Sequence, residues 1–347
     1  MKKVMIGMSG GVDSSVAALL LREAGYECVG ATMRLYGGTP AHSQDAADAK
    51  SVADRLGMSH YVFEATADFE RNVIRYFIDT YEAGGTPNPC IECNRTMKFS
   101  HMYDLARQQG CDGIATGHYA RIARREDGRW LLKKGLDESK DQSYFLYVMT
   151  QEMLSYTLFP LGELGKEEVR RLAEENGLIN ARKRDSQDIC FVPDGDYASF
   201  ICSYTGKDYP GGNFVDETGR VLGRHEGMIR YTVGQRRGLG VSGGKPLYVC
   251  RKCAEDNTIL LTDNESLFTD TLYAHRLNLI AMESLDKPIR CCARIRYRHR
   301  EQPATVLQTE EDRIRVVFDE PQRAVTAGQA VVLYDGDTVI GGGTICG

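Results

Sequence analysis

No apolar run in this chain approaches the roughly 18 residues of a membrane-spanning helix, and the first residues already read as a strand rather than a secretory leader. The expectation is a soluble, cytoplasmic protein with no membrane partner. Internal repeats and low-complexity linkers are missing too, which excludes a stacked-repeat fold. Positive charge is in deficit, with 43 Lys and Arg against 48 Asp and Glu and a formal net charge of -5, so any nucleic-acid partner has to be met by local patches. Eleven cysteines make an odd count in 347 residues. That argues against a secreted disulfide framework and leaves thiol chemistry, metal binding or core packing. A last absence is a lysine: "VMIGMSGGVDSSVAALLL" (4–21) has the strand-loop-helix setting of a Walker loop, but none stands between Gly7 and Leu21.

What the opening does contain still suits an anion. Val4, Met5 and Ile6 form a short apolar strand, and Val16, Ala17, Leu19 and Leu20 begin a helix that Gly25 can end. Between them Gly7, Gly10 and Gly11 let the backbone approach a ligand, while Ser9, Ser14 and Ser15 add hydroxyls beside the free amides of the helix N-terminus. The plainer alternative is a glycine-rich turn that only joins two elements. The string Ser9-Gly10-Gly11-Val12-Asp13-Ser14 resembles the pyrophosphate loop of N-type ATP pyrophosphatases, which adenylate a substrate and release pyrophosphate. That resemblance implies ATP as cosubstrate and a part for Asp13 in holding the phosphate-bound metal, Mg2+.

The length suggests two or three domains. "ECVGATMRL" (27–35), "HYVFEA" (60–65) and "DGIATG" (112–117) read as strands, with helices over 45–56 and 68–83 between them. Such alternation implies an α/β fold with a doubly wound parallel sheet. Ligands of these sheets lie beyond the carboxyl ends of the strands, which places Met33 and Gly117 near the opening turn. After a last helix at "KEEVRRLAEENG" (166–177) the alternation fades, and from about residue 205 short alternating runs and frequent glycines predict small β-rich modules. The expected division is an α/β domain over 1–204 followed by β-rich modules over 205–274 and 275–347.

Two cysteine segments carry chemistry. "GGTPNPCIECNRTMKF" (84–99) starts as a Gly/Pro/Asn loop, and Asn94 reads as the N-cap of a helix carrying Phe99, Met102 and Leu105. Cys93 is then expected at a helix N-terminus, where a thiol pKa falls, with Cys90 three residues before it. In "ARKRDSQDICFVPDGD" (181–196) Cys190 follows a basic cluster and the pair Asp185-Ser186. Taken alone, a cysteine before Phe191 and Val192 reads as core. A second Cys-x2-Cys at Cys250 and Cys253, with Cys291 and Cys292 downstream, is a poor zinc site, because adjacent cysteines on a strand face opposite ways. Basic residues gather twice. "RCCARIRYRHR" (290–300) is expected to present Arg294, Arg296, Arg298 and Arg300 from one strand face, and residues 220–252 hold Arg220, Arg224, Arg230, Arg236, Arg237, Lys245, Arg251 and Lys252 against a single acid, Glu226. Two such areas on an acidic protein favour an extended polyanion, although a charged edge strand would look similar.

"GMSGGVDSS", "TPNPCIECN", "TGHYA" (116–120), "KDQSYFL" (140–146), "DSQDICF" (185–191) and "TVGQRRGLG" (232–240) stand in the order seen in the bacterial tRNA-specific 2-thiouridylases, and the chain resembles that family over nearly its whole length. The resemblance implies an enzyme that activates O2 of the wobble uridine of certain tRNAs with ATP and replaces the oxygen with sulfur from a cysteine persulfide, AMP leaving. It implies that 1–204 is the catalytic domain, that 205–274 and a C-terminal β-barrel over 275–347 bind tRNA, and that the partners are tRNA and a sulfur donor such as a cysteine desulfurase or sulfur-relay protein; a monomer is favoured. Gly7, Met8, Ser9, Gly10, Gly11, Val12, Asp13, Ser14, Met33 and Gly117 match the ATP site. Cys93 matches the persulfide cysteine and Cys190 the second catalytic cysteine, which frees sulfur through a transient disulfide. His118, Lys140, Asp141, Gln142, Arg296, Tyr297 and Gln329 match positions that meet tRNA. Many members carry aspartate where this chain has Cys90, and that aspartate's part in handling the base is not carried over. Cys90, Cys93 and Cys190 instead give the three-cysteine pattern of related thiolases that hold a [4Fe-4S] cluster, so a cluster route and a persulfide-disulfide route both stay open. Outside the family, the rivals are an amidating or nucleotide-forming ATP pyrophosphatase and a non-catalytic sulfur or metal carrier that binds RNA.

Overall fold

A computed structural model describes residues 2–37, 40–183, 188–241 and 244–347. It begins with the expected parallel sheet. β1 (Lys3–Gly7) runs into α1 (Val12–Glu23), then β2 (Glu27–Arg34), α2 (Pro40–Arg55), β3 (Ser59–Glu64) and, after two helical stretches, β4 (Gly113–Ala115). Val4, Met5 and Ile6 are fully buried because helices cover both faces of a parallel sheet. The strand order is β3-β2-β1-β4-β7, with β7 (Thr157–Leu158) at the edge. The chain steps from β1 through β2 to β3 and then returns to the other side of β1, so the order reverses between β1 and β4, where such sheets open a ligand crevice. Gly7 and the turn into α1 lie at that reversal.

The helical stretches on this sheet are unusual. One runs from Thr66 to Glu82 with a π-helical segment at Glu70–Ile74. The other runs from Pro89 to Gln108 with a π-helical segment at Asn94–His101, immediately after Cys93. Wide turns of this kind often mark functional sites.

Between β4 and β7 the chain makes a hairpin of β5 (Ala120–Arg124) and β6 (Trp130–Lys134). This hairpin leaves the parallel sheet and joins the distant C-terminal barrel, where Lys133 pairs with Thr338. The central module is a four-stranded sheet, β10-β11-β8-β9, of β8 (Gly212–Val215), β9 (Val221–His225), β10 (Tyr248–Cys253) and β11 (Thr258–Thr262). The barrel comprises β12 (Phe268–Leu279), β13 (Ile289–Arg294), β14 (Gln302–Glu310), β15 (Arg313–Arg323), β16 (Ala330–Asp335) and β17 (Thr338–Ile345), and pairing of β12 with β17 closes it. Closure removes the free edges that would invite another chain.

The expected single-faced run of arginines is corrected. β13 stops at Arg294, and residues 295–299 turn, with the His299 amide donating to Arg296 O. At its end the Arg294 guanidinium is engaged inward, 3.0 Å from Glu301 and 3.6 Å from Asp141. Lys252 does not belong to the basic surface either: it is buried, whereas Arg224, Arg230, Arg236, Arg237, Lys245 and Arg251 are exposed. No helix among the described residues is long and apolar enough to cross a membrane.

Candidate active site

The turn at Gly7–Ser14 is built from its own hydroxyls. Ser14 and Ser15 each donate to Gly11 O at 3.0 Å, and Ser14 Oγ accepts from the Ser9 amide at 3.3 Å. Gly11 is the N-cap of α1 and offers no side chain to its first amides, which leaves them for a ligand. Gly117, just past β4, touches this helix start so closely that a Cβ would lie 2.8 Å from Asp13 C and Ser14 N. Met33, at the end of β2, packs between the sheet and the apolar cluster that contains Cys93.

The sequence holds no lysine within the turn, but the fold brings one to it. Lys166, the first residue of the helix Lys166–Glu175, places Nζ 2.7 and 2.9 Å from the two Asp13 carboxylate oxygens, and Tyr119 donates to the same carboxylate at 2.8 Å. Asp13 thus holds Lys166 beside the turn through an ion pair. Lys166 was visible only as the start of an amphipathic helix; nothing local marks it as a partner of a loop over 150 residues away. Two further residues hold the turn. Asn180 donates to Gly10 O at 3.0 Å and to Ser15 Oγ at 2.8 Å. Lys183 donates to Gly10 O at 3.2 Å and bridges Asp45 and Asp48 at 2.7 Å each. The segment leading to Cys190 is thus anchored on the turn. The pair Asp185-Ser186 lies outside the described residues.

The two cysteine segments meet beside Met33. Cys93 shares one apolar cluster with Phe191 and Val192, and Phe191 stands within 5.7 Å, centre to centre, of the Phe69, Phe77 and Phe200 rings. Cys190 itself is exposed, as is Cys90, while Cys93 is buried. Negative charge on Cys190 or Cys90 would raise the Cys93 pKa, so the three thiols feel one another. The expected lowered pKa of Cys93 is overturned. Pro89 starts the helix after Asn88, making Cys93 its fifth residue rather than the residue before its cap, and burial pushes the thiol up to about 12. Protein atoms crowded around the other two sulfurs raise Cys190 to about 11 and hold Cys90 above the ordinary value. Asn94 is not a cap either; its amide donates to Phe145 O at 3.1 Å.

Among the described residues no three His, Cys, Asp or Glu side chains gather closely enough to hold a metal ion. Cys90, Cys93 and Cys190 are nonetheless neighbours, each close enough for its charge to act on another.

The residues matched to tRNA contacts divide. His118 is buried between the Phe99 and Phe159 rings, bonded through Nδ1 to Thr116 Oγ1 at 2.7 Å, and burial holds its pKa well below the ordinary histidine value. Asp141 is buried and accepts from the Gly135 and Ser143 amides at 3.1 Å. Gln142 accepts from the Tyr119 amide at 3.0 Å, and Lys140 donates its amide to Asp137 O. Tyr297 packs on Phe145 at 4.4 Å between ring centres, and Arg296 donates to Arg323 O at 2.6 Å. Gln329 reaches from the barrel to the cysteine loop, donating to Thr86 O at 2.8 Å.

A doubly wound sheet with a lysine-free anion turn at its switch point, and thiols converging nearby, defines an α/β nucleotide-binding protein of the pyrophosphate-loop type. Residues 2–194 match the family model described as tRNA methyl transferase HUP domain, 198–263 the tRNA methyl transferase PRC-barrel domain and 269–345 the aminomethyltransferase beta-barrel domain. The tRNA-specific 2-thiouridylase MnmA of Clostridioides difficile is 50% identical over 354 residues, covering 99% of this chain and 98% of its own. Its namesake from Acetivibrio thermocellus is 50% identical over 355 residues, covering 99% of each chain. A solved 4-thiouridine synthetase–RNA complex with bound ATP is 18% identical with a TM-score of 0.40 over 56% of this chain and 46% of that one. The chain belongs to the tRNA-specific 2-thiouridylase family.

Proposed function

We propose that this protein is an ATP-dependent tRNA 2-thiouridylase of the cytoplasm. ATP lies in the turn at Gly7–Ser14, and uridine O2 attacks its α-phosphorus, releasing pyrophosphate. The loop amides and the Lys166 ammonium oppose the phosphate charge, Lys166 exchanging its Asp13 partner for the anion. Cys93, loaded with a sulfane sulfur by a desulfurase or sulfur-relay protein, carries the outer sulfur to C2. The C2–S bond forms as the C2–O bond to AMP breaks, leaving the uridine joined to Cys93 through a disulfide. The Cys190 thiolate then attacks Cys93 Sγ, freeing the thiouridine and forming a Cys93–Cys190 disulfide, which an external thiol reduces. Residues 1–204 do this chemistry, while 205–274 and 275–347 hold the tRNA.

The observation that carries the reading is the convergence of Cys93 and the Cys190 segment beside Met33, on the strand next to the anion turn. An amidating or nucleotide-forming relative would need the turn but neither cysteine. The test is mass spectrometry of nucleosides from tRNA incubated with enzyme, ATP and a persulfide donor. Cys93→Ser is expected to abolish 2-thiouridine; undiminished product from that variant would overturn the proposal.

A further inference from the structure

The loop that delivers Cys93 is held mainly by parts of the protein outside its own domain. Gly84 takes φ +85°, where only glycine is at ease, and two local bonds, Gly84 N to Tyr81 O and Gly85 N to Thr80 O, finish the preceding helix. From there the grip passes to the other two modules. Lys252 of the central sheet donates to Gly85 O at 3.1 Å and Tyr231 O at 3.0 Å. The barrel turn between β15 and β16 accepts the Thr86 amide at Ala327 O, 2.8 Å, and returns a bond from Gln329 to Thr86 O. Six residues on, Glu92, beside Cys93 and only 6% exposed, receives Arg276 of β12 at 2.9 Å.

Both charged contacts are costly to build. Lys252 is buried over the Tyr81 ring with two carbonyls as its acceptors, and burial lowers it to about 8. Arg276 occupies φ 54°, a strained value for a non-glycine, and is kept there by Asp312, whose carboxylate accepts from the Arg276 and Leu277 amides at 3.0 and 2.6 Å. Domain packing alone would be served more cheaply by apolar side chains. What the two contacts share is that they end on the segment carrying the nucleophile, one from each module beyond the catalytic domain.

We propose that Lys252 and Arg276 are positioning residues for sulfur transfer: the central sheet and the barrel each hold one end of the Gly84–Cys93 segment, so that RNA spanning both modules sets the place of the Cys93 sulfur. The inference rests on the reading of Cys93 as the sulfur carrier.

The test uses the full chain with four substitutions. Lys252→Met and Arg276→Gln remove the donors, and Lys252→Arg and Arg276→Lys restore charge. Thiouridine formation is followed against tRNA concentration, and hydrogen exchange of the 84–93 amides is followed in protein alone and with tRNA. The Met and Gln variants are expected to lose about tenfold to a hundredfold in kcat, to keep the KM for tRNA within about twofold, and to exchange the segment about tenfold faster. The conservative variants are expected to recover most of kcat. A rise in KM alone would make these residues plain RNA contacts and overturn the proposal, as would unchanged exchange in both Met and Gln variants. If the wild-type chain makes no 2-thiouridine, the functional reading falls by itself, and the exchange data still decide whether the two modules hold the loop.

Discussion

Burial pushes the Cys93 thiol up to about 12, and the protein atoms crowded around the Cys190 sulfur push that thiol up to about 11, so both carry their protons at neutral pH. Each pKa is raised above the ordinary value of 9.0, so the folded chain holds these protons more tightly than the unfolded one. The stabilisation is fully present below pH 9 and is lost as pH climbs towards 11 and 12. Alkylation of Cys93 by iodoacetamide, read by mass spectrometry, is therefore expected to be slow at pH 7 and to keep accelerating past about pH 10, where an ordinary thiol nears its plateau. A plateau at pH 9 or below would show an ionised cysteine and contradict the burial argument. The sequence alone misjudges the acidity of Cys93. Asn94 looked like a cap because Asn caps helices, but Pro89 fits N1 better, and the apolar neighbours that raise the pKa come from residues 69–81 and 191–201, far away in sequence.

The helix start at Gly11–Ser14 depends on a close approach by the β4 end. Gly117→Ala would put a methyl 2.8 Å from backbone atoms of Asp13 and Ser14, which cannot swing aside like a side-chain tip. We expect a loss of about 1–3 kcal/mol in denaturant unfolding and a clear rise in the KM for ATP in a pyrophosphate-release assay; a variant matching wild type in both would mean that the loop yields freely. β1 to β4 and the helices between them were legible because apolar strands alternating with amphipathic helices have one compact solution. Lys166, Asn180 and Lys183 were not, since what makes them matter is the fold bringing 166–183 back onto residue 10. The arginine run at 290–300 misled for a related reason. Its alternation is real, but Asp141 and Glu301 draw Arg294 inward, and no local pattern announces a buried ion pair.

A chain of net charge -5 that binds tRNA has to concentrate its cations, and the exposed Arg224, Arg230, Arg236, Arg237, Lys245 and Arg251 of the central module are one such concentration. The logarithm of tRNA affinity is expected to fall linearly with the logarithm of salt concentration. An Arg236→Gln, Arg237→Gln double variant is expected to flatten that slope by about 1 to 2, measured by filter binding over a salt series; an unchanged slope would remove these two from the RNA footprint.

The hairpin of β5 and β6 has a consequence for how the molecule is made. Lys133 finds Thr338, and Arg121 finds Asp337 at 2.8 Å, only when the final strand exists. During synthesis, residues 120–134 leave the ribosome two hundred positions before their partner, so the nucleotide domain spends that interval with an open β-edge. Slowing translation late in the message should lengthen that exposure, whereas the closed barrel ends it.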